Sequence, residues 1–483
     1  MTQTVTPAFS RSMKMIGCLL ITVSCVTPAS SVFVVIPGVI RQAGSGALFS
    51  ASLGAIISLL IAFAYAELGS AFPVAGGEYA MVGRVMGPLP GFVILGLNLV
   101  VLMLSISVVA LGLGTYVHAL LPNTSSQTDA LVCLMLTTLC ALLSVQTNAV
   151  ITGGFLVLEL IALIVVTALG FTGPVNPWSS LFTAPMVAGA TGPLVPATLS
   201  GIGLGASAAV FAFYGFGTAV YLGEETQGAS RQVARAVLWA LVISVVSQSV
   251  PLAAFLHGAP HTAELFRSET MFGDFVLARG GQSLATAMNL AVALSIVNAN
   301  IAIVILASRM VFSTGRDQVW PRSINSALVR IDSRYKCPWV ATLVTGAMSG
   351  LLCLLKFEIV LAATGTALMV VYGFLCLAII TGRRNGTTAH AEYRMPLYPL
   401  PPILALVAIA YIIVTNVTDP HTGLLSLLAT AVVLAASALY YQLVLKPRGA
   451  WELRGPADEP VDSPAAARTG AELLVPARVK ASR

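Results

Sequence analysis

The chain has 483 residues, of which 57% are hydrophobic and only 9% are charged. A soluble domain carries about 25% charged residues, so this composition excludes a soluble globular fold of this length and indicates a membrane protein. The net charge of +6 comes from lysines and arginines spread over the short connections between apolar runs, and this pattern argues against a nucleic-acid partner.

A membrane-spanning helix needs about 20 mostly apolar residues. Such runs predict an all-α membrane protein with about twelve spans inside a membrane domain at 13–446, preceded by a short cytoplasmic tail at 1–12. The apolar stretch after Lys14 resembles a secretion signal, but we expect it to remain as span one because apolar character resumes at Val32. The predicted spans lie near 13–40, 47–68, 89–121, 128–147, 149–171, 196–223, 233–257, 281–312, 338–356, 358–381, 399–418 and 422–445.

The lysines and arginines predict the orientation of the chain in the membrane. If the N-terminus is cytoplasmic, 21 of the 25 fall on the cytoplasmic side. The other four, expected outside, are Arg41, Arg267, Arg279 and Lys356. Both termini are therefore predicted in the cytoplasm, and residues 447–483, rich in proline, alanine and charge, are predicted to be a disordered tail.

Spans one and six each carry residues that weaken a helix near the middle of the membrane. Span one contains Pro28, which removes a backbone donor, and span six contains Gly215 and Gly217. Their five-span offset suggests two inverted repeats, at about 13–171 and 196–381, with the last two spans, at about 399–446, appended. Two ordinary kinks would explain the same residues.

Two motifs resemble those of the amino acid–polyamine–organocation superfamily of permeases, and the similarity extends along spans one to ten. After span two, the stretch 65–79 holds a Glu-Leu pair, a proline six residues after the glutamate, a Gly-Gly pair and a tyrosine; after span eight, a second motif covers 308–321. The resemblance implies a secondary transporter of an amino acid or related amine. The chain departs from the family at span one, where Pro28-Ala29-Ser30-Ser31 replaces Gly-Ser-Gly, and after span six, where Ala229 and Ala234 stand at positions often held by proline.

A broken helix could bind both charges of a zwitterionic substrate. The half-helix beginning near Ser30 would offer N–H groups and a positive dipole end to a carboxylate, and unwound carbonyls would accept from an ammonium. The resemblance points to the same positions in span one. The alternative is that Ser30 and Ser31 bond back into their own helix. The candidate substrate-binding residues are Thr27, Ala29, Ser30, Ser31, Val32, Phe211, Ala212, Tyr214 and Gly215.

Glu159, near the middle of span five, is the most informative polar residue. An ionisable group at that depth is costly, and burial favours its neutral form, so it could bind and release a proton. It could instead bind a cation, pair with a substrate amine or make a structural hydrogen bond. Ser295 and Asn298 share a face of span eight and are further ion-coupling candidates, or interhelical hydrogen-bond partners.

Phe216 and Glu67 are the candidate gating residues. An aromatic residue beside the span-six break could cover the substrate, although packing is an equal alternative. Glu67 and Glu78 lie in the motif after span two, where they could form a cytoplasmic gate or shape the loop. Ordinary solvated helix ends would fit as well.

These residues predict alternating-access transport of an amino acid or amine, coupled to a proton, across the cell membrane. Sodium coupling is a weaker expectation, and no cofactor, metal or enzymatic site is expected. A polyamine transporter, an exchanger and a non-transporting amino-acid sensor remain alternatives. The absence of a GxxxxGK[ST] motif argues against an ATP-driven pump.

Overall fold

The structure is a computed structural model that describes residues 13–451 apart from 75, 121–122, 144, 190–192, 224–225, 333–336, 419–421 and 450. The predicted tails at 1–12 and beyond 451 lie outside the described residues. Over the described part the chain is helical, apart from its connections and one two-stranded hairpin.

The N-terminal half contains a broken first span, long helices and a short helix between two of them. Its elements are α1 Met15–Val26, α2 Pro28–Ser30, a π-helical turn Ser31–Val35, α3 Ile36–Ala43, a 3-10 turn Gly44–Gly46, α4 Ala47–Ala71, α5 Gly77–Met86, α6 Pro88–Leu120, α7 Ser126–Ala141, α8 Val145–Thr172 and α9 Trp178–Thr183.

The C-terminal half begins with the antiparallel hairpin of β1 Met186–Ala188 and β2 Leu194–Pro196. The helices that follow are α10 Leu199–Ala212, a 3-10 segment Phe216–Leu222, α11 Ala229–Gly258, α12 Thr262–Leu265, α13 Met271–Arg316, α14 Arg322–Leu328, α15 Trp339–Leu352, α16 Phe357–Asn385, α17 Leu400–Thr418, α18 Gly423–Tyr440, a π-helical turn Tyr441–Leu445 and α19 Lys446–Arg448.

Helix lies over each of the twelve predicted segments. In the described chain, eight helical stretches are long and apolar enough to cross a membrane, and the first of them, Met15–Ala71, holds the first two predicted spans. Three shorter apolar helices, Ser126–Ala141, Val157–Thr172 and Trp339–Leu352, lie at predicted spans four, five and nine. The all-α membrane class is therefore confirmed, whereas the count of twelve spans and the inverted repeat stay predictions.

The distribution of polar and apolar side chains is that of a protein dissolved in lipid. Large apolar side chains face outward, with Ile164 and Val432 each 66% exposed. Carboxylates lie inside instead, and Glu67, Glu78 and Glu159 are all buried. Hydrocarbon is a good solvent for the first group and a poor one for the second, so the interior is where chemistry should be sought.

Several local features differ from the sequence prediction. The motif after span two is largely helical, because α4 continues to Ala71 and a second helix, α5, begins at Gly77. The hairpin and α9 occupy a connection predicted only as a loop. The predicted disordered tail begins too early, since the Trp451 ring packs against Phe92 at 5.4 Å and Tyr441 at 6.0 Å.

The bundle has two distinct ends. At one end, which we call the N-terminal face, Met13 pairs with Thr226, and Glu67 binds Arg383. At the opposite face, Arg41 and Arg267, both predicted outside, donate to backbone carbonyls of the connections there. Arg383 thus lies at the face opposite to Arg41 and Arg267, and the orientation of the faces in the cell stays a prediction.

Candidate functional site

The break in span one is centred on Thr27. Its backbone is left-handed, with φ 48° and ψ 66°, which is uncommon for a β-branched residue and interrupts the helix between α1 and α2. Pro28 supplies no N–H at this point. The chain then underwinds into the wider π-helical turn, a form that often marks functional sites.

Ser31 bonds back across this break. Its Oγ donates to the Val26 carbonyl at 3.3 Å, and its N–H donates to the Thr27 carbonyl at 3.0 Å. This is the alternative arrangement that the sequence left open, so Ser31 has its own partners in this conformation. Ala29, Ser30, Ser31 and Val32 are all buried around the break.

The break in span six lies between Ala212 and Phe216. The α-helix ends at Ala212, the Tyr214 N–H bonds to the Phe211 carbonyl at 3.0 Å, and Gly215 has φ 112°. The chain resumes as a tighter 3-10 segment, in which the Thr218 N–H bonds to the Gly215 carbonyl at 3.0 Å. Only glycine adopts such a backbone without strain.

The two breaks are in direct contact. A Cβ atom on Gly215 would lie 2.9 Å from the Val26 Cα and 3.1 Å from the Cys25 carbonyl oxygen. The span-six backbone therefore passes against the end of α1, one residue before Thr27. The segments that hold the sequence-predicted binding residues of the two spans thus lie next to one another, and their role in binding stays a prediction.

Aromatic rings flank this site on span six. Phe211 and Tyr214 are stacked, with their centroids 6.2 Å apart. Phe216 lies on the N-terminal side, where it packs against Tyr65 at 5.7 Å and Tyr372 at 6.4 Å. Phe216 is fully buried in this trio, and its role as a gate stays a prediction.

Glu159 and Asn298, predicted separately, meet beside the span-one break. The Asn298 Nδ2 donates to Glu159 Oε1 at 3.3 Å, and both residues are at most 1% exposed. The α2 turn packs against both of their helices, and the Ala29 amide lies near the Glu159 carboxyl group. The first N–H after Pro28 thus lies near a carboxyl group of the protein itself.

The Glu159–Asn298 pair contains two oxygen atoms that accept no hydrogen bond from the described residues. Among the described residues, Glu159 Oε2 and Asn298 Oδ1 have no hydrogen-bond partner, although both are buried. Leaving a buried acceptor unpaired costs about 1–3 kcal/mol. A proton on Oε2 would turn one acceptor into a donor, and a bound cation would satisfy both oxygens.

The other predicted coupling residue, Ser295, is buried and donates to the Ala291 carbonyl of its own helix at 2.8 Å. The structure does not join it to Glu159.

Sequence reasoning missed a second polar group, which lies on α11. Gln248 Nε2 donates to Ser244 Oγ at 2.9 Å, and Ser244 Oγ donates to the Phe213 carbonyl at 3.4 Å. Their position in a long apolar helix was the signal that could have identified them.

Glu67 lies on α4 at the N-terminal face and forms a clamp with the last turn of α16 and the segment that follows it. It accepts from Arg383 Nε at 2.7 Å, from Arg383 Nη2 at 2.6 Å and from the Met395 N–H at 2.8 Å. The Arg383 guanidinium also lies 4.3 Å from the centre of the Tyr398 ring. Bidentate contacts of this kind are among the strongest in proteins.

Two helix breaks in contact, with a buried carboxyl group beside them, form an arrangement that many membrane transporters use to bind substrates and coupling ions. A family model described as amino acid permease matches residues 13–438. The chain therefore belongs to the amino acid permease family, and it is a permease and not an enzyme.

Its relatives carry different substrates. The branched-chain amino acid permease BcaP of Bacillus subtilis is 22% identical over 405 residues, covering 77% of this chain and 81% of the relative. The methylthioribose transporter of the same organism is 22% identical over 430 residues, with 83% and 88% covered. The mouse Asc-type amino acid transporter 1 is 26% identical over 423 residues, with 81% and 74% covered.

Proposed function

We propose that this protein is a secondary active transporter that moves an amino acid or a related amine across the cell membrane by alternating access, coupled to a proton. The observation that carries the proposal is the buried Glu159–Asn298 pair beside the span-one break. The relatives include amino acid permeases, which supports an amino acid as the substrate.

The substrate's two charges have different partners at the paired breaks. Backbone N–H groups at the start of the second half of span one favour a carboxylate, and the unwound carbonyls near Thr27 and Phe211 favour an ammonium. Burying either ion without partners would be very costly. Phe211 and Tyr214 would then cover an apolar side chain, so a neutral amino acid fits better than a dicationic substrate.

Glu159 would carry the proton. When protonated, it supplies the donor that the pair with Asn298 lacks; when ionised, its Oε2 has no donor among the described residues. Because the Ala29 amide lies near this carboxyl group, its protonation state acts on the same turn that would bind the substrate carboxylate. That shared turn gives a physical route for coupling.

The test is uptake into proteoliposomes of labelled neutral, cationic and acidic amino acids and polyamines. An inward proton gradient and a sodium gradient would be imposed separately. We expect accumulation of neutral amino acids with the proton gradient, and Glu159→Gln should abolish accumulation while preserving exchange. Accumulation driven only by sodium would refute proton coupling. Uptake that requires preloaded substrate would indicate an exchanger.

A further inference from the structure

A second buried carboxyl group lies at the N-terminal face, apart from Glu159. Glu78 sits in the first turn of α5 and is only 3% exposed. The α5 helix is short and packs between α6, α16 and the 3-10 segment of span six. This position lies on the path from the paired breaks to the N-terminal face.

Three other elements donate hydrogen bonds to Glu78. The Tyr65 hydroxyl of α4 donates to Oε1 at 2.7 Å, and Asn98 Nδ2 of α6 donates to Oε2 at 3.1 Å. The Tyr221 hydroxyl of the 3-10 segment also donates to Oε2. One carboxyl group therefore joins α4, α5, α6 and the second half of span six.

The same residues hold the second half of span six along its length. A Cβ on Gly77, the neighbour of Glu78, would lie 2.3 Å from Tyr221 Cε1, so only glycine lets this ring approach α5. Near the start of the segment, the Tyr65 ring packs against Phe216 and fills the space where a Cβ of Gly217 would lie. Opening a path towards this face requires the segment to leave these contacts.

The hydrogen bonds to Glu78 can be broken and re-formed more easily than the Glu67–Arg383 ion pair of the clamp. All three described donors to Glu78 are neutral, and a single hydrogen bond between neutral side chains is readily exchanged for one with water. Separating the bidentate Glu67–Arg383 ion pair is far more costly. The N-terminal face thus has one strong clamp and one releasable contact.

We propose that Glu78 is a positioning residue that closes the substrate path at the N-terminal face by holding the second half of span six through Tyr65 and Tyr221. The proposal rests on the alternating-access function proposed above. Release of the Tyr221 contact lets the 3-10 segment swing away from α5, and its return seals the site for the next cycle.

A native thiol reports on this movement. Cys25 lies near the end of α1, where its carbonyl oxygen would be 3.1 Å from a Cβ on Gly215, the residue that precedes the 3-10 segment. The thiol is partly buried in the closed form, and movement of the segment away from α1 exposes more of it, so its reaction with a polar reagent becomes faster. The other six cysteines, replaced by alanine, leave Cys25 as the single target.

The experiment measures the rate at which Cys25 reacts with the cationic reagent MTSET in detergent-solubilised full-length protein. We expect Glu78→Leu to raise this rate at least tenfold and Tyr221→Phe, which removes one hydrogen bond, to raise it roughly 3- to 10-fold. Glu78→Gln retains an acceptor and a donor for the two tyrosines, so its rate should return close to that of the parent protein.

Tyr116→Phe is the matched control. It also removes a buried tyrosine hydrogen bond, to the Phe33 carbonyl at 3.0 Å, but away from α5. An equal rate increase in this variant would indicate general loosening and overturn the proposal, as would unchanged labelling in folded Tyr221→Phe and Glu78→Leu. If Glu78→Leu does not fold, Tyr221→Phe decides. Labelling needs neither substrate nor gradient, so a failure of proton-driven uptake would refute the transport proposal without affecting this result.

Discussion

Arg383→Met is expected to destabilise the protein more than Glu67→Met does, although the two residues form one ion pair. The Glu67 side chain is 1% exposed and the Arg383 side chain is 18% exposed. Without Arg383, the Glu67 carboxylate keeps only the Met395 N–H among its described partners and has almost no access to water. Breaking a buried pair in this way costs about 3–5 kcal/mol.

The Glu67→Met substitution removes the partner of the Arg383 charge, but this charge keeps other favourable contacts. Without Glu67, the Arg383 guanidinium still lies over the Tyr398 ring and can reach water at the rim of the N-terminal face. We therefore expect a loss of about 1–3 kcal/mol, in the range of an ordinary buried hydrogen-bond deletion. The double variant removes both charges, so its loss should be well below the sum of the two single losses.

Thermal unfolding of the purified protein in detergent, followed by loss of the monodisperse peak in size-exclusion chromatography, gives the order of the four stabilities. The expected order is parent, Glu67→Met, then Arg383→Met, with the double variant at or above Arg383→Met. Equal effects of the two single substitutions, or strictly additive losses in the double variant, would refute the argument from unequal burial.

Two further predictions concern the span-six break and the pH dependence of closure. Gly215→Ala should lower uptake roughly tenfold or more, because a left-handed backbone is strained for alanine and its Cβ would clash with the end of α1. The control is Gly373→Ala, which should transport normally because an added Cβ there meets no atom within 4 Å. Burial raises the pKa of Glu78 above its ordinary value, although hydrogen bonds from its neighbours lower it. The closed form therefore binds the proton more tightly than an open form with Glu78 in water, and acidification should favour closure. MTSET labelling of Cys25, divided by its rate in Glu78→Gln at each pH, should rise with pH, and a flat ratio would contradict this reasoning.

Much of the fold could be predicted because lipid imposes a simple rule on sequence. Long apolar runs become helices, and a residue such as Pro28 or Gly215 within one identifies a break without any tertiary information. A polar side chain deep in such a run, such as Glu159 or Asn298, is costly enough to indicate function. For these features the free-energy cost arises within a single apolar run, so it can be recognised from the sequence.

The pairings could not be predicted, because they depend on how helices far apart in the chain pack. Glu159 and Asn298 are 139 residues apart, and Glu78 and Tyr221 are 143 apart. Glu78 also lies in a short helix that the sequence suggested was a loop, where a carboxylate looks like an ordinary solvated residue. Only the convergence of several helices makes it a buried group.

The contact between the two breaks links the proton site to closure at the N-terminal face. The Gly215 backbone packs closely against Val26, so we expect the second half of span six to release the end of α1 when it moves away from α5. The next residues, Thr27 to Ala29, form the turn that lies near the Glu159 carboxyl group. We therefore expect each protonation state of Glu159 to favour one position of this turn, and through Gly215 one state of the Glu78 contact. Coupling between Glu159 and Glu78 then needs no long series of intervening contacts, because the backbone contact between Gly215 and Val26 connects the two sites.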